Sequence, residues 1–241
     1  LGEKAIPIEY YFGIQTQRAL ENFSLSRTKL FHYPQFIDAL ADVKEGAALA
    51  NRDLGILDKD VAGAIIEACK EIKNGKLHEH FVVDMVQGGA GTSTNMNINE
   101  VVANRALEIL GHKKGEYKYC HPNNHVNLSQ STNDAYPSAM KIAFYRYIGD
   151  LIKSLERLVE AFEIKSKEFS HVIKMGRTQL QDAVPMTLGQ EFEAFAYTLK
   201  EEVQRIRQNR EHFLEINMGA TAIGTGINSD PDYTPLVTKH L

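Results

Sequence analysis

The stretch that decides the fold covers residues 137–169 and has the sequence PSAMKIAFYRYIGDLIKSLERLVEAFEIKSKEF. Its apolar side chains recur at the three- and four-residue steps of one helix face: Met140, Phe144, Ile148, Leu151, Leu155, Leu158, Phe162 and Phe169. The spacing predicts a single helix of about 35 residues, which at the usual rise per residue is about 50 Å long. Because such a helix exceeds one small domain, the stretch indicates a bundle of long helices.

A second long helix is predicted to begin at a capping box, Thr187-Leu188-Gly189-Gln190. Apolar residues then follow in nearly heptad steps: Phe192, Phe195, Leu199, Val203, Ile206 and Phe213. Two long helices with such apolar stripes need partner helices to cover them, and we expect these from other copies of the chain. The pattern therefore predicts a homo-oligomer.

Shorter helices are predicted in the N-terminal part of the chain. One lies between Pro34 and Gly55, a second between the N-cap Asp58 and Gly75, and a third over residues 94–110. Residues 1–33 show no sustained period and are expected to form an irregular, wrapping segment. No strand alternation appears, so the predicted fold class is all-α.

Composition and charge exclude several classes of protein. Of 241 residues, 43% are hydrophobic and 24% are charged, which excludes a disordered chain. The net charge is -4 and no basic block occurs, so we expect no nucleic-acid partner. No signal pattern or ~18-residue apolar run occurs, so we expect no membrane association. Cys69 and Cys120 lie far apart, which favours free thiols in a reducing cytoplasm.

Three small, polar, mostly uncharged stretches interrupt the helical pattern: QGGAGTSTN at 87–95, SQSTND at 129–134 and GRTQLQD at 176–182. Each leads toward a predicted helix start, where free backbone N–H groups and the positive end of the helix dipole favour an anion. Taken singly, each stretch is more simply interpreted as an ordinary N-cap, and it is the occurrence of three that favours an anion site. The first stretch lacks the Lys of a GxxxxGK[ST] loop, so a carboxylate suits these donors better than a nucleotide phosphate.

Other candidate sites are weaker. His121 and His125 have metal-ligand side chains, but the intervening Pro122 opposes presentation on one helix face, and we expect no metal there. Ser131 and Asp134 are residue types of a catalytic triad, but no G-x-S-x-G elbow accompanies them. The glycine-punctuated segment 219–226 is compatible with close approach to another backbone or to a ligand, and tight packing is the slightly preferred interpretation.

The sequences GAGTSTNMN at 89–97, QSTND at 130–134 and GRTQLQDA at 176–183 resemble the aspartase/fumarase superfamily, and the resemblance covers essentially the whole chain. It implies an N-terminal helical domain, residues 1–133, followed by an incomplete long-helix bundle domain, residues 134–241. It also implies a homotetramer whose active sites are shared between subunits. The superfamily reaction is an anti elimination through an aci-carboxylate that carries two negative charges on one carboxyl group.

The resemblance implies a role for six residues of the polar stretches. Thr92, Ser131 and Thr132 would hold the side-chain carboxylate of the substrate. Asn133 and Gln179 would lie near its amine, and Thr178 would contact its other carboxylate. Neutral donors of this kind stabilise the charge of the intermediate where it develops. The resemblance implies no required cofactor and allows activation by a divalent cation.

Within the superfamily, residues 175–192 and 219–228 resemble the branch that converts L-aspartate to fumarate and ammonia. Gln179 agrees with that chemistry because a substrate ammonium already carries its proton, whereas a departing hydroxide benefits from a general acid. The turn His121-Pro122-Asn123 instead resembles class II fumarases. Two alternatives therefore stay open, a class II fumarate hydratase and a non-catalytic helical assembly module.

The mobile serine loop of the superfamily, GSSxMPxKxNP, does not occur in these residues. The resemblance implies that this loop supplies the general base, so no residue of this chain is assigned as catalytic. The chain starts at Leu1 rather than at Met and stops at Leu241. We expect it to be an N-terminal half that is inactive alone.

Overall fold

The structure is a computed structural model that describes residues 4–87 and 89–241. In these ranges the chain forms seven α-helices and one small antiparallel sheet of two strands, so the predicted all-α class is confirmed. The helices are α1 Ile14–Asn22, α2 Pro34–Asp53, α3 Lys59–Lys73, α4 Thr92–Ile109, α5 Thr132–Glu168, α6 Leu188–Glu211 and α7 Tyr233–His240. The strands are β1 Ile173–Thr178 and β2 Gln181–Thr187.

The chain divides into two compact units. The first contains the residues up to Ala143 together with Ile216–Leu241, and the second is Phe144–Glu215. This division by contacts does not coincide with the predicted domains 1–133 and 134–241, which remain a prediction.

The core of the first unit is formed by α2, α3 and α4. Their inward faces are fully buried and rich in small and branched side chains: Ile37, Leu40, Ala41, Ile65, Ile72, Ile98, Val101 and Leu107. Asp58 caps α3, since its Oδ1 accepts hydrogen bonds from the backbone nitrogens of Asp60 and Val61. Gly55, Gly75 and Gly111 follow their helices with positive φ, as the sequence predicts.

Both cysteines are buried free thiols. Cys69 lies in α3, against the core, and burial raises its pKa far above the usual range. Cys120 precedes the turn at residues 122–126, and burial raises its pKa to about 12. Neither thiol is therefore activated as a nucleophile.

Helix α1 lies in the segment that was predicted to be irregular, so that prediction is wrong for residues 14–22. The helix has no side-chain cap of its own. Its first N–H groups bond instead to the carboxylate of Glu100 in α4. A cap supplied from so far along the chain leaves no local pattern in the sequence.

Helix α5 begins at Thr132, five residues before the predicted start at Pro137. In a regular helix the N–H of residue 137 would bond to the carbonyl of Asn133, but proline has no N–H. The side-chain amide of Asn217 donates a hydrogen bond of 3.0 Å to that carbonyl instead. Asn217 therefore compensates for the proline, and the helix continues through it.

In the second unit a hairpin separates the long helices. Strand β1 pairs with β2 from Ile173 opposite Thr187 to Thr178 opposite Gln181, with an irregularity between Met175 and Arg177. The sequence predicted only a break here. The predicted capping box is confirmed, because Thr187 and Gln190 exchange hydrogen bonds between side chain and backbone at the start of α6.

Across residues 4–87 and 89–241, none of the helices combines the length and apolar character that a membrane span requires.

Candidate carboxylate-binding site

A polar cavity of about 810 Å³ opens in the first unit. Its described lining contains amide, hydroxyl and apolar side chains but no carboxylate, ammonium or guanidinium group. The polar lining includes Asn95 of α4, Asn127, and four residues of the second polar stretch: Ser129, Gln130, Ser131 and Thr132. A lining of neutral hydrogen-bond donors suits a negatively charged ligand, because the donors stabilise the negative charge although none of them carries a formal positive charge.

Ser131 is held at the cavity by the buried carboxylate of Asp134. One oxygen of Asp134 accepts a hydrogen bond of 2.9 Å from the backbone nitrogen of Ser131, and the other accepts one of 2.8 Å from that of Thr221. Burial raises the pKa of Asp134, although these N–H donors oppose the shift. Asp134 thus joins the start of α5 to the glycine-punctuated segment, whose Thr221 and Ala222 also line the cavity.

The side chain of Asn133 points to the same segment. Its Nδ2 donates a 2.8 Å hydrogen bond to the carbonyl of Ala222, and its backbone N–H bonds to the hydroxyl of Ser131 at 3.2 Å. Asn133 is exposed beside the cavity, while Ser131 and Thr132 line it.

Thr92 is the first residue of α4, where it is exposed. The N-cap is Gly91, which has a φ of +85° and no side chain to occupy the free N–H groups of the helix. Thr94, two residues on, is held by Gln87, whose amide both donates to its hydroxyl and accepts from its backbone nitrogen. Gly88, which belongs to the same polar stretch, lies outside the described residues.

The structure brings Ser131 and Thr132 together in the cavity and places Asn133 and Thr92 in the same unit. Thr178 and Gln179 belong to the second unit, where they lie at the end of β1 and in the hairpin turn. Both side chains are exposed, and Gln179 has a left-handed backbone with a φ of +48°.

A buried lysine that the sequence patterns did not single out lies behind the cavity. Lys44 in α2 is fully buried, and its Nζ donates hydrogen bonds to side-chain oxygens of Asn95, Asn127 and Gln130. Burial lowers the pKa of Lys44 to about 7, whereas the charge of Asp134 opposes that shift. A signal was present, because Lys44 lies four residues after Leu40 and three before Ala47, on the apolar stripe of the helix.

The two histidines of the 121–126 segment support a turn. His121 Nδ1 accepts hydrogen bonds from the backbone nitrogens of Asn123 and Asn124, and His125 Nδ1 accepts one from the nitrogen of His121. No cluster of three or more His, Cys, Asp or Glu side chains suited to a metal ion occurs in the described parts of the chain.

Comparison with known proteins assigns the family. A family model described as "Lyase" matches residues 2–241, nearly the whole sequence. The chain belongs to this lyase family. The resemblance to the aspartase/fumarase superfamily that the sequence motifs carry is thereby confirmed.

Individual relatives agree with that assignment. An aspartate ammonia-lyase of Helicobacter pylori is 57% identical over 241 residues, which are 100% of this chain and 52% of the relative. The structure of a "fumarate lyase:delta crystallin" from Brucella melitensis bound to cobalt is similar with a TM-score of 0.97 at 54% identity, covering 99% of this chain and 52% of that one. A class II fumarase from Schistosoma mansoni has a TM-score of 0.90 at 38% identity, covering 96% and 49%. The chain spans about half the length of the curated relatives it matches.

Proposed function

We propose that the protein containing this lyase chain is an aspartate ammonia-lyase, which reversibly converts L-aspartate to fumarate and ammonia. The observation that supports this most is the cavity of neutral donors that contains Ser131 and Thr132. The 57% identity to an aspartate ammonia-lyase, against 38% to a class II fumarase, favours ammonia elimination over water elimination.

In the proposed reaction a base removes a proton from C3 of L-aspartate, and the electron pair moves into the adjacent carboxylate. That carboxylate then carries two negative charges until the C–N bond breaks, the C=C bond forms and neutral ammonia leaves. Hydroxyl donors from Thr92, Ser131 and Thr132 would stabilise this dianion more strongly than the ground state, which lowers the barrier. The 241 residues do not contain the superfamily's serine-loop pattern, so we assign them substrate binding and not the base.

The remaining substrate contacts follow the same assignment. Thr178 would bond to the carboxylate that does not change charge, and Asn133 and Gln179 would orient the amine. A neutral glutamine suits this place, because the leaving group needs no added proton. We assign no required cofactor. A divalent cation is an activator at most, which turnover with and without EDTA would test.

We also propose a cytoplasmic homotetramer in which several subunits complete each active site. In the second unit, helix α6 and the part of α5 after Ala143 expose large apolar side chains that a monomer leaves in water, among them Leu151, Leu158, Phe195 and Tyr197 at 42–66% exposure. Partner helices of the same kind would cover them. Sedimentation analysis tests this, and a monomer at micromolar concentration would contradict it.

The second candidate is a class II fumarate hydratase, which the histidine turn at 121–123 and the similarity to the Schistosoma mansoni fumarase favour. Absorbance of fumarate distinguishes the two when the protein containing this chain receives L-aspartate or L-malate separately. We expect fumarate from L-aspartate only. Fumarate from L-malate only would assign the protein to the fumarases.

Site variants test the donor assignment. Ser131→Ala should lower kcat for L-aspartate by about 10²-fold, because one donor to the developing charge is lost. Ser154→Ala is the matched control, since Ser154 lies on the exposed side of α5 and its hydroxyl bonds within that helix, donating to the carbonyl of Asp150 and accepting from Arg157. Equal activity of both variants would overturn the carboxylate-binding role of Ser131.

A further inference from the structure

The ammonium group of Lys44 is enclosed by three side-chain oxygens. Its Nζ lies 2.7 Å from Asn95 Oδ1, 2.8 Å from Gln130 Oε1 and 3.0 Å from Asn127 Oδ1. Carbonyl oxygens only accept hydrogen bonds, and an ammonium has three N–H donors, so the arrangement matches the charged form of lysine. A neutral amine would direct its lone pair at one of these oxygens.

Asn95 connects Lys44 to the cavity by hydrogen bonds on both sides of its amide group. While its Oδ1 accepts from Lys44, its Nδ2 donates to Thr132 Oγ1 at 3.1 Å and to Asn127 Oδ1 at 3.1 Å. A threonine hydroxyl that accepts a hydrogen bond keeps its own O–H for another acceptor. Thr132 lines the cavity, so that O–H is available to a bound anion.

Electrostatics strengthen this chain of hydrogen bonds. A positive charge on the carbonyl side of an amide polarises its N–H groups, and consecutive hydrogen bonds reinforce each other in a low dielectric. The titratable groups that act on Lys44 are Asp134 at the start of α5 and Cys69 in α3. Neither is among the three hydrogen-bond acceptors of Nζ, which therefore directs its bonds to the amides.

From this geometry we propose that Lys44 is a positioning residue. Acting through the amide of Asn95, its ammonium group orients the Thr132 hydroxyl as a donor to the substrate carboxylate that gains charge. The proposal rests on the proposed function. Beyond that function, it assigns a role to a cationic group that does not touch the substrate. This group makes a neutral hydroxyl a stronger hydrogen-bond donor.

A double-mutant cycle tests the proposal in the protein that contains this chain, with L-aspartate as substrate. Thr132→Val removes the hydroxyl and should lower kcat by about 10²-fold. Lys44→Met removes the ammonium but keeps an unbranched stem, and we expect kcat to fall by about 10- to 30-fold with KM within threefold, since the donor matters most once charge has developed. In the double variant kcat should match that of Thr132→Val alone within about threefold.

A merely structural role for Lys44 predicts a different result. The two losses would then multiply, and a multiplied loss would overturn the proposal. Lys73→Met is the matched control, because Lys73 in α3 is paired with Asp42 and Glu45, outside the cavity lining. Its kcat should stay within threefold of the wild type.

If Lys44→Met does not fold, as judged by circular dichroism, Lys44→Gln replaces it in the same cycle. Its amide keeps N–H donors for the surrounding oxygens but removes the positive charge, so its loss of kcat must also be non-additive with Thr132→Val. The activity of the wild type distinguishes a failure of the proposed function from a failure of the role of Lys44. A wild type that does not convert L-aspartate overturns the proposed function and this inference with it, whereas an active wild type with multiplying losses overturns only the role of Lys44.

Discussion

The carboxylate of Glu100 lies 2.8 Å from the backbone nitrogen of Gly13, although the two residues are 87 positions apart. The same carboxylate accepts hydrogen bonds from the backbone nitrogens of Gln15 and Thr16, so it caps α1 and places a negative charge at the positive end of that helix. Glu100 is buried, and together with burial its charge raises the pKa of Tyr117 to about 12. The N-terminal segment is thus fixed to α4, the helix that begins at Thr92.

Glu100→Gln should destabilise the protein. An amide keeps one acceptor oxygen and directs an NH₂ group at backbone donors, so we expect a loss of about 2–3 kcal/mol in the free energy of unfolding. Urea denaturation measures it. Glu160→Gln, on the exposed side of α5, should change the value by less than about 0.5 kcal/mol. Equal stability of the two variants would contradict the cap.

Asp84 predicts a pH dependence of stability. Its carboxylate accepts hydrogen bonds from the hydroxyl and backbone nitrogen of Ser26 and from the backbone nitrogens of Leu25 and Val86. These hydrogen bonds hold the pKa of Asp84 far below its usual range. The bond from the Ser26 hydroxyl has the largest effect, and the backbone donors add to it. A carboxyl whose pKa is lower in the folded state stabilises the fold above its unfolded pKa of about 4, and this contribution is lost as the pH falls further.

Asp84→Asn should therefore lower the free energy of unfolding at pH 7 and reduce the further loss between pH 7 and pH 3. Urea titrations at both pH values give the comparison. Asp182→Asn, at an exposed position of β2, should keep the wild-type pH dependence. An Asp84→Asn variant with an unchanged acid slope would show that this carboxylate does not control acid stability.

Gly91 is needed at the start of α4 for two reasons. Its φ of +85° lies in the left-handed region, and a Cβ would enter the ring of Tyr136. Gly91→Ala should therefore shift Thr92 and lower kcat in the proposed conversion of L-aspartate by about 10-fold or more, with a loss of at least about 1 kcal/mol in stability. Gly63→Ala is the control, because a Cβ there meets no atom within 4 Å and α3 gains helix propensity. Wild-type turnover by Gly91→Ala would contradict the need for glycine.

The hairpin turn contains backbone strain at Leu180. This residue has a φ of +64°, and its side chain is 98% exposed. Leu180→Asn should raise the free energy of unfolding by up to about 1 kcal/mol, because asparagine tolerates the left-handed conformation and no buried contact is lost. Val184→Asn, at a 66% exposed strand position of the same hairpin, should not raise it, since asparagine is disfavoured in strands. Thermal melting of both variants decides between these outcomes.

The elements that the sequence predicts well are those whose signals are local. Asp58 caps α3, and Thr187 with Gln190 caps α6, because the bonding partners lie within three residues. Helix α1 and the start of α5 were missed because Glu100 and Asn217 act from distant parts of the chain. Spacing along the sequence carries no information about such contacts.

The residues of the candidate site likewise include some that the sequence predicts and one that it does not. The motifs single out Ser131 and Thr132, since a polar stretch before a helix is recognisable from residue types alone, and the structure places both residues at the cavity. Lys44 was missed because its partners Asn127 and Gln130 are 83 and 86 positions away. A lysine on an otherwise apolar helix face was the available sign of a buried polar network.

The two buried cysteines can serve as built-in probes of local opening of the structure. A buried thiol with a raised pKa reacts slowly with alkylating reagents, so its labelling rate reports how often the surrounding packing opens. Cys69 reports on the helical core, and Cys120 reports on the turn that supports the cavity. The ratio of the two rates would show whether the edge of the cavity opens independently or only when the whole core unfolds.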